Sequence, residues 1–243
     1  MISIDVHIGT FVFSFSAPEN WSEVSQEQFE NFILYQDSFD EIRDETLFSV
    51  LSVPYEVQLF ISEIDKYIFK KCIKFMSKMS LMQNWTIKKL ILSDGRIATP
   101  PDWDFSNMSW EEFIFADTYA SRHELKVLAS ILFRPETFST NENDSKRMVF
   151  SIAGTTNRLP LFDNIKQETL TAIYINYATA RKQIADKYPR LFVEDDEQKE
   201  SGSDWLKLTR ELLGDDFIEE KKLLSLPVNA VLTRLERLIR NNR

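Results

Sequence analysis

From Ile2 to Phe15 the chain alternates apolar and polar side chains on both sides of Gly9-Thr10. Ile2, Ile4, Val6 and Ile8 lie on one side of the glycine, Phe11, Phe13 and Phe15 on the other. A period of two on both arms of a glycine predicts a β-hairpin with one buried face, because successive strand side chains point to opposite faces. A hairpin alone does not hold in water, so it needs something to pack on. Pro18 ends the alternation, and from Ser25 the period becomes helical, with Phe29, Phe32 and Ile33 sharing a face. The chain therefore starts as a strand pair that must be covered by helices.

The same succession follows later. "TIKKLILSDGRIAT" predicts a second hairpin whose Asp94-Gly95 supplies the positive backbone dihedrals of a tight turn, ended by Pro100-Pro101. Helices are predicted through Leu47, Val50 and Leu51 with Pro54 as the stop, from about Pro54 to Met79, from Ser109 to Phe133 with Pro135 as the stop, and from Asp163 to Tyr188. In the second of these, Ile61, Ile64, Ile68, Cys72 and Phe75 form the stripe expected to face the core, with Cys72 as a small buried hydrophobe. Residues 136–160 read as irregular.

Two stretches nearly rhyme, "NWSEVSQEQF" at Asn20–Phe29 and "DWDFSNMSWEEF" at Asp102–Phe113. Ser25 with Gln28, and Ser109 with Glu112, each fit the capping box, in which serine and the acid or amide three residues on satisfy each other's backbone N–H. The following Phe29 or Phe113 is the first core-facing residue of the helix. The ends also look alike, "LFSVLSVP" and "LASILFRP". This leaves two readings open, a duplicated hairpin-plus-helix unit (1–84 and 85–135) or chance similarity between helix starts.

"EDDEQKESGSD", 194–204, is acidic and without large apolar residues, and is read as a solvated hinge between a body at 1–193 and a helical subdomain at 205–243. There Trp205, Leu208 and Leu212 mark a helix stopped by Gly214, Asp216 with Glu219 marks another helix start, and Pro227 opens a last helix carrying Leu232, Leu235 and Ile239. Arg234 and Arg237 make that helix basic. They serve either to meet the helix dipole or, with Trp205, Leu208, Leu212, Leu232, Leu235 and Ile239, to dock on an acidic partner or a second copy of this chain. The fold class is α+β and predominantly helical. Two small β-hairpins, separate or joined in one antiparallel sheet, pack on helices, with a helical C-terminal subdomain.

Composition narrows function by exclusion. A net charge of −9 opposes sequence-independent contact with a phosphate backbone, so direct nucleic-acid binding is not expected. One cysteine and two histidines cannot build a disulfide framework or a Cys/His zinc site. The opening "MISIDVHIGT" lacks the basic start and apolar run of a signal peptide, and no apolar stretch approaches a membrane span, so the expected location is the cytoplasm. His123 has Asp117 six positions away, well around the helix, and reads as a boundary histidine rather than a base. "GDDFIEEKK" lacks the spacing of a calcium loop, Asn84 in "NWT" is an idle glycosylation acceptor, and "AGTTNR" at Gly154 is the nearest approach to a phosphate loop. No catalytic residue, cofactor or metal is assigned.

The residues do resemble one family. "WSEVSQEQF", "MSWEEFIFADTY…LKVLASILFRP" and the tryptophan-led "WLKLTRELLGDDF…LPVNAVLTRLERL" are similar to segments of the tail assembly chaperone-like proteins of tailed bacteriophages. The resemblance spans most of the chain through short motifs of helix caps and cores. It implies a non-enzymatic assembly factor, or a connector or baseplate component, touching tail-tube or tape-measure protein in the host cytoplasm or within the virion. The alternative from another class is an acidic inhibitor that imitates nucleic acid to occupy a host nuclease or regulator.

Overall fold

A computed structural model of the chain describes residues 1–36, 42–136, 147–192, 202–213 and 217–241. The fold is α+β and predominantly helical, with two small antiparallel sheets. The chain divides into two compact units, 1–87 with 167–172, and 88–166 with 173–243.

The first unit begins with strands β1 (Ile2–Ile8) and β2 (Phe11–Ala17), paired so that Ile4 faces Phe15 and Val6 faces Phe13. Gly9 takes a positive φ of 62° in the turn, as the alternation requires. Helices α1 (Gln26–Tyr35), α2 (Asp44–Val50), α3 (Tyr55–Gln58) and α4 (Glu63–Ile73) follow. The Ser25–Gln28 capping box is complete in both directions. Trp21, in the short 3-10 turn before α1, meets the edges of Phe29 and Phe75 and donates to the Lys78 carbonyl. The predicted helix from Pro54 to Met79 is divided: α3 stops at Gln58, and Ser62 caps α4 by accepting from the Asp65 N–H.

α2 closes with Ser52 in the left-handed conformation, φ 54°. The Val53 N–H bonds the Phe48 carbonyl and the Ser52 N–H bonds the Ser49 carbonyl, the paired bonds of a Schellman ending. That ending ordinarily uses glycine. Ser52 is exposed, so replacing it loses no packing. Ser52→Gly is expected to stabilise the chain by about 0.5–1 kcal/mol by relieving the steric cost of a left-handed β-carbon. A urea midpoint that falls or stays put would contradict the strain.

In the second unit, β3 (Leu90–Ile91) and β4 (Ile97–Thr99) form the predicted second hairpin around Gly95, and β5 (Arg134–Pro135) adds a third strand against β4. The two hairpins thus lie in separate sheets. The long helix predicted from Ser109 to Phe133 is two, α5 (Trp110–Ser121) and α6 (Leu125–Leu132). His123 breaks it with a φ of 55°, the Glu124 N–H reaching the Tyr119 carbonyl and the His123 N–H the Ala120 carbonyl. A helix that the apolar pattern would continue is stopped by backbone geometry. α7 (Ile152–Arg158) lies in the stretch read as irregular, and α8 (Gln167–Lys187) follows.

The C-terminal reading needs correction. Helices α9 (Gly202–Leu213), α10 (Phe217–Ser225) and α11 (Val228–Asn241) belong to the same compact unit as α5 and α6, not to a subdomain of their own. Trp205 packs edge-on to Trp110 and Phe113. The Trp110 N–H bonds the Leu226 carbonyl and the Val228 N–H the Met108 carbonyl, so the start of α11 is stitched to the start of α5. Of the predicted hinge, 194–201 lies outside the described residues, and its last three residues open α9.

The two rhyming segments also part company. Ser109 accepts from the Glu112 N–H as a cap should, but the Glu112 side chain turns into the core instead of back to Ser109. The first segment ends in the Schellman turn at Ser52, whereas the second runs from Phe133 straight into β5, with Pro135 inside the strand.

Candidate interaction surface

Four features bear on function: the terminal helix, two buried polar clusters and an exposed apolar face. The expected docking helix is α11. Its apolar stripe faces inward: Leu232 and Leu235 are buried with Val228 and Val231, and Ile239 is half-buried. Trp205 is buried and Leu208 half-buried, while the side chain of Leu212 falls outside the described residues. Arg234 and Arg237 are exposed on the opposite side. A partner cannot reach Trp205, Leu232 or Leu235 without opening the fold, so the predicted set does not converge on one surface. The positions are amphipathic for the reason such positions usually are: one face joins the core.

Asp117 sits at the centre of one buried cluster. It accepts from Arg181 through both guanidinium Nε and Nη2, from Trp205 Nε1 at 2.9 Å and from Tyr177 Oη at 3.3 Å. Burial, then the adjacent Asp117 carboxylate, push the Tyr177 phenol well above its ordinary range. Every partner donates to one carboxylate, which leaves no group poised to move a proton. The arrangement ties α5, α8 and α9 together. His123, six residues on, lies instead against the ring of Tyr174 at 5.2 Å, as a boundary residue.

Glu112 anchors the second cluster. It is fully buried and accepts from Arg134 Nη2 at 2.6 Å and from Arg147 Nη2 at 2.7 Å. Arg147 also donates to the Leu132 carbonyl. Sequence reasoning missed this trio. In the sequence Glu112 reads as a helix cap, and Arg147 sits in a stretch of polar residues where nothing marks it as internal.

The exposed face lies on the first unit. Tyr55, Leu59, Phe60, Ile64, Tyr67 and Ile68 are all exposed, from 44% for Ile68 to 72% for Ile64. Of the stripe predicted to be buried, Ile61 is buried and Phe75 is half-buried against Trp21, whereas Ile64 and Ile68 are not covered. Phe69, Ile73 and Met76 carry the inward face, with Phe69 meeting Phe15 of the hairpin at 6.2 Å. Ile64 and Ile68 lie outward, and Cys72 is intermediate, its thiol raised by partial burial. α4 has two apolar faces; the hairpin covers one. The residues at i, i+3 and i+4 of the other (Ile64, Tyr67, Ile68) follow the spacing by which helices engage partners.

The hairpin carries a further share of the apolar surface. Its inward-pointing residues Val6, Phe15 and Ala17 are buried at the base. Towards the turn the same face opens: Ile8 and Phe13 are half-buried and Phe11 is 69% exposed. The sheet has two strands, and so two unpaired edges among the described residues. Lys66 and Lys70 converge on Asp44, which holds α4 against the start of α2 and lowers the Asp44 carboxyl pKa, chiefly through Lys70.

Among the described residues no three His, Cys, Asp or Glu side chains converge as a metal site would require, and no helix is long and apolar enough to cross a membrane. Comparison with protein-family models, with curated proteins and with solved structures returns no match.

Proposed function

We propose that this chain is a non-enzymatic protein–protein interaction factor of bacteriophage tail or virion assembly, and that the α3–α4 face is where it takes hold of its partner. One observation carries the reading: six large apolar side chains within Tyr55–Ile68 stand in solvent on a chain of net charge −9. A contiguous exposed apolar area beyond a few hundred Å² is unusual for a protein without a partner, and marks a site of association. An assembly factor needs this combination. The apolar face covers subunit surfaces that would otherwise associate early, and the acidic remainder keeps the complex soluble. The same feature favours assembly over the acidic mimic of nucleic acid, which would present carboxylates where this chain presents Leu59, Phe60, Ile64 and Tyr67.

Co-expression with the tail-tube and tape-measure proteins of the same genome tests the proposal. Co-elution with one of them is expected. Ile64→Asp with Tyr67→Asp is expected to abolish it and leave the melting temperature within a degree or two, because both side chains are already exposed. The reading fails if neither protein co-elutes, or if the double variant binds as the unaltered chain does. Concentration-dependent self-association through this face would reassign it to a contact between copies.

A further inference from the structure

We propose that the α3–α4 face is built for an acidic amphipathic helix, whose apolar stripe covers Ile64, Tyr67 and Ile68 while its carboxylates meet Lys71 and Lys74; this rests on reading that face as the partner site. The observation is where the cations of the first unit lie. Residues 1–65 hold thirteen Asp and Glu against one Arg, whereas 66–87 hold five Lys and no Asp or Glu. Lys66 and Lys70 are paired with Asp44 at 3.1 and 2.7 Å. Lys71, Lys74 and Lys78 are exposed, and among the described residues no carboxylate lies within ion-pair distance of them.

Lys71 belongs to the apolar face itself. It stands three residues after Ile68, four after Tyr67 and seven after Ile64, so at helical spacing it occupies the next turn of the same stripe. Lys74 follows three residues later, at the start of the 3-10 turn Lys74–Ser77. Cations in the last turn of α4 also meet the helix dipole, which accounts for Lys70 and Lys71 but not for Lys74 or Lys78 beyond its end. The stripe from Ile64 to Lys74 runs about 15 Å, enough for roughly three turns of a partner helix.

Covering this stripe with a purely apolar surface removes the Lys71 ammonium from water with nothing to offset the loss. A carboxylate one turn along the partner's own apolar stripe offsets it through a charge-assisted hydrogen bond, and steers association as well. Basic and apolar residues together also fit an anionic lipid surface. Against that, Glu56 and Glu63 are exposed beside the same apolar side chains, and a chain of net charge −9 is repelled by anionic headgroups. A helix can place its acids over Lys71 and Lys74 and set none against Glu56 and Glu63. A uniformly charged surface cannot.

Fluorescence anisotropy of the full chain with two labelled helical peptides of about 18 residues decides the matter. Both peptides carry one leucine stripe, flanked by Glu in the first and by Gln in the second. The Glu peptide is expected to bind about fivefold tighter than the Gln peptide at low salt, and to lose that advantage as salt rises. A chain of net charge −9 would otherwise disfavour it. Lys71→Gln with Lys74→Gln should erase the preference and leave both the Gln peptide's affinity and the melting temperature unchanged, since both side chains are exposed. Equal affinity for the two peptides, binding of neither, or a Glu preference that survives the double variant overturns the proposal. Sedimentation with phosphatidylserine-containing vesicles that the double variant abolishes also overturns it, and assigns the face to a membrane. Concentration-dependent dimerisation that the double variant prevents overturns it in favour of a second copy. Selectivity for the Glu peptide without co-elution of a tail protein leaves this assignment standing and removes the assembly role; co-elution that survives Lys71→Gln with Lys74→Gln does the reverse.

Discussion

Glu112→Gln is expected to destabilise the second unit by about 3–5 kcal/mol, the cost of removing one partner from a buried ion pair while leaving the other charged. Glu112 has no exposed surface and holds Arg134 and Arg147 at 2.6 and 2.7 Å. Glutamine preserves volume and shape, so no cavity contributes. What it removes is the one negative charge in contact with those guanidiniums among the described residues, and its amide presents N–H donors to groups that are donors already. Arg134 and Arg147 lie on different segments, β5 and the residue following the 137–146 stretch, and both converge on α5 through Glu112. The loss should therefore appear as one lower midpoint in guanidinium chloride and not as local fraying. A shift below about 1 kcal/mol would show that the trio is solvated, against its burial. Replacing Glu112, Arg134 and Arg147 together by apolar residues of similar volume separates the two contributions, since a buried charge network exchanged as a whole is often close to neutral.

What the sequence disclosed depended on the distance over which each feature is determined. The first hairpin, the Ser25 capping box and the turn at Gly95 are settled by residues within a few positions of one another, and periodicity finds them. α4 was harder. Ile61 is buried as expected, but beyond it Ile64, Ile68 and Cys72 are a legitimate apolar stripe, and so are Phe69, Ile73 and Met76. Only the hairpin, 54 residues earlier at Phe15, decides which is covered, so the partner surface was visible as hydrophobicity but not as exposure. The ends of α2 and α5 escaped because Ser52 and His123 adopt a conformation usually signalled by glycine or asparagine. Glu112 satisfied a local motif while its side chain was committed to arginines 22 and 35 residues away. A lack of apolar residues at 194–204 reads as a boundary, but linker polarity says nothing of what the helices on either side bury.

Trp205→Ala is expected to cost about 3–5 kcal/mol, the range for deleting a buried large aromatic. The site gives it little means to relax. The indole lies among Trp110, Phe113 and Phe192 at centroid distances of 5.4, 5.9 and 5.0 Å, and its N–H donates to the buried Asp117. Alanine leaves a cavity walled by rigid rings and removes one of the donors that stabilise the Asp117 carboxylate. Deleting 202–243 extends the same experiment. It uncovers Trp110, fully buried and bonded through Nε1 to Thr209, and removes the Leu226 carbonyl that satisfies the Trp110 backbone N–H. A polar linker before an independent subdomain would predict a truncated chain as stable as the whole. Packing of α9 and α11 on α5 predicts instead a chain whose second unit loses its cooperative melt and near-ultraviolet tryptophan signal. Retention of both at the full-length midpoint would mean that α5 finds its core without the C-terminal helices.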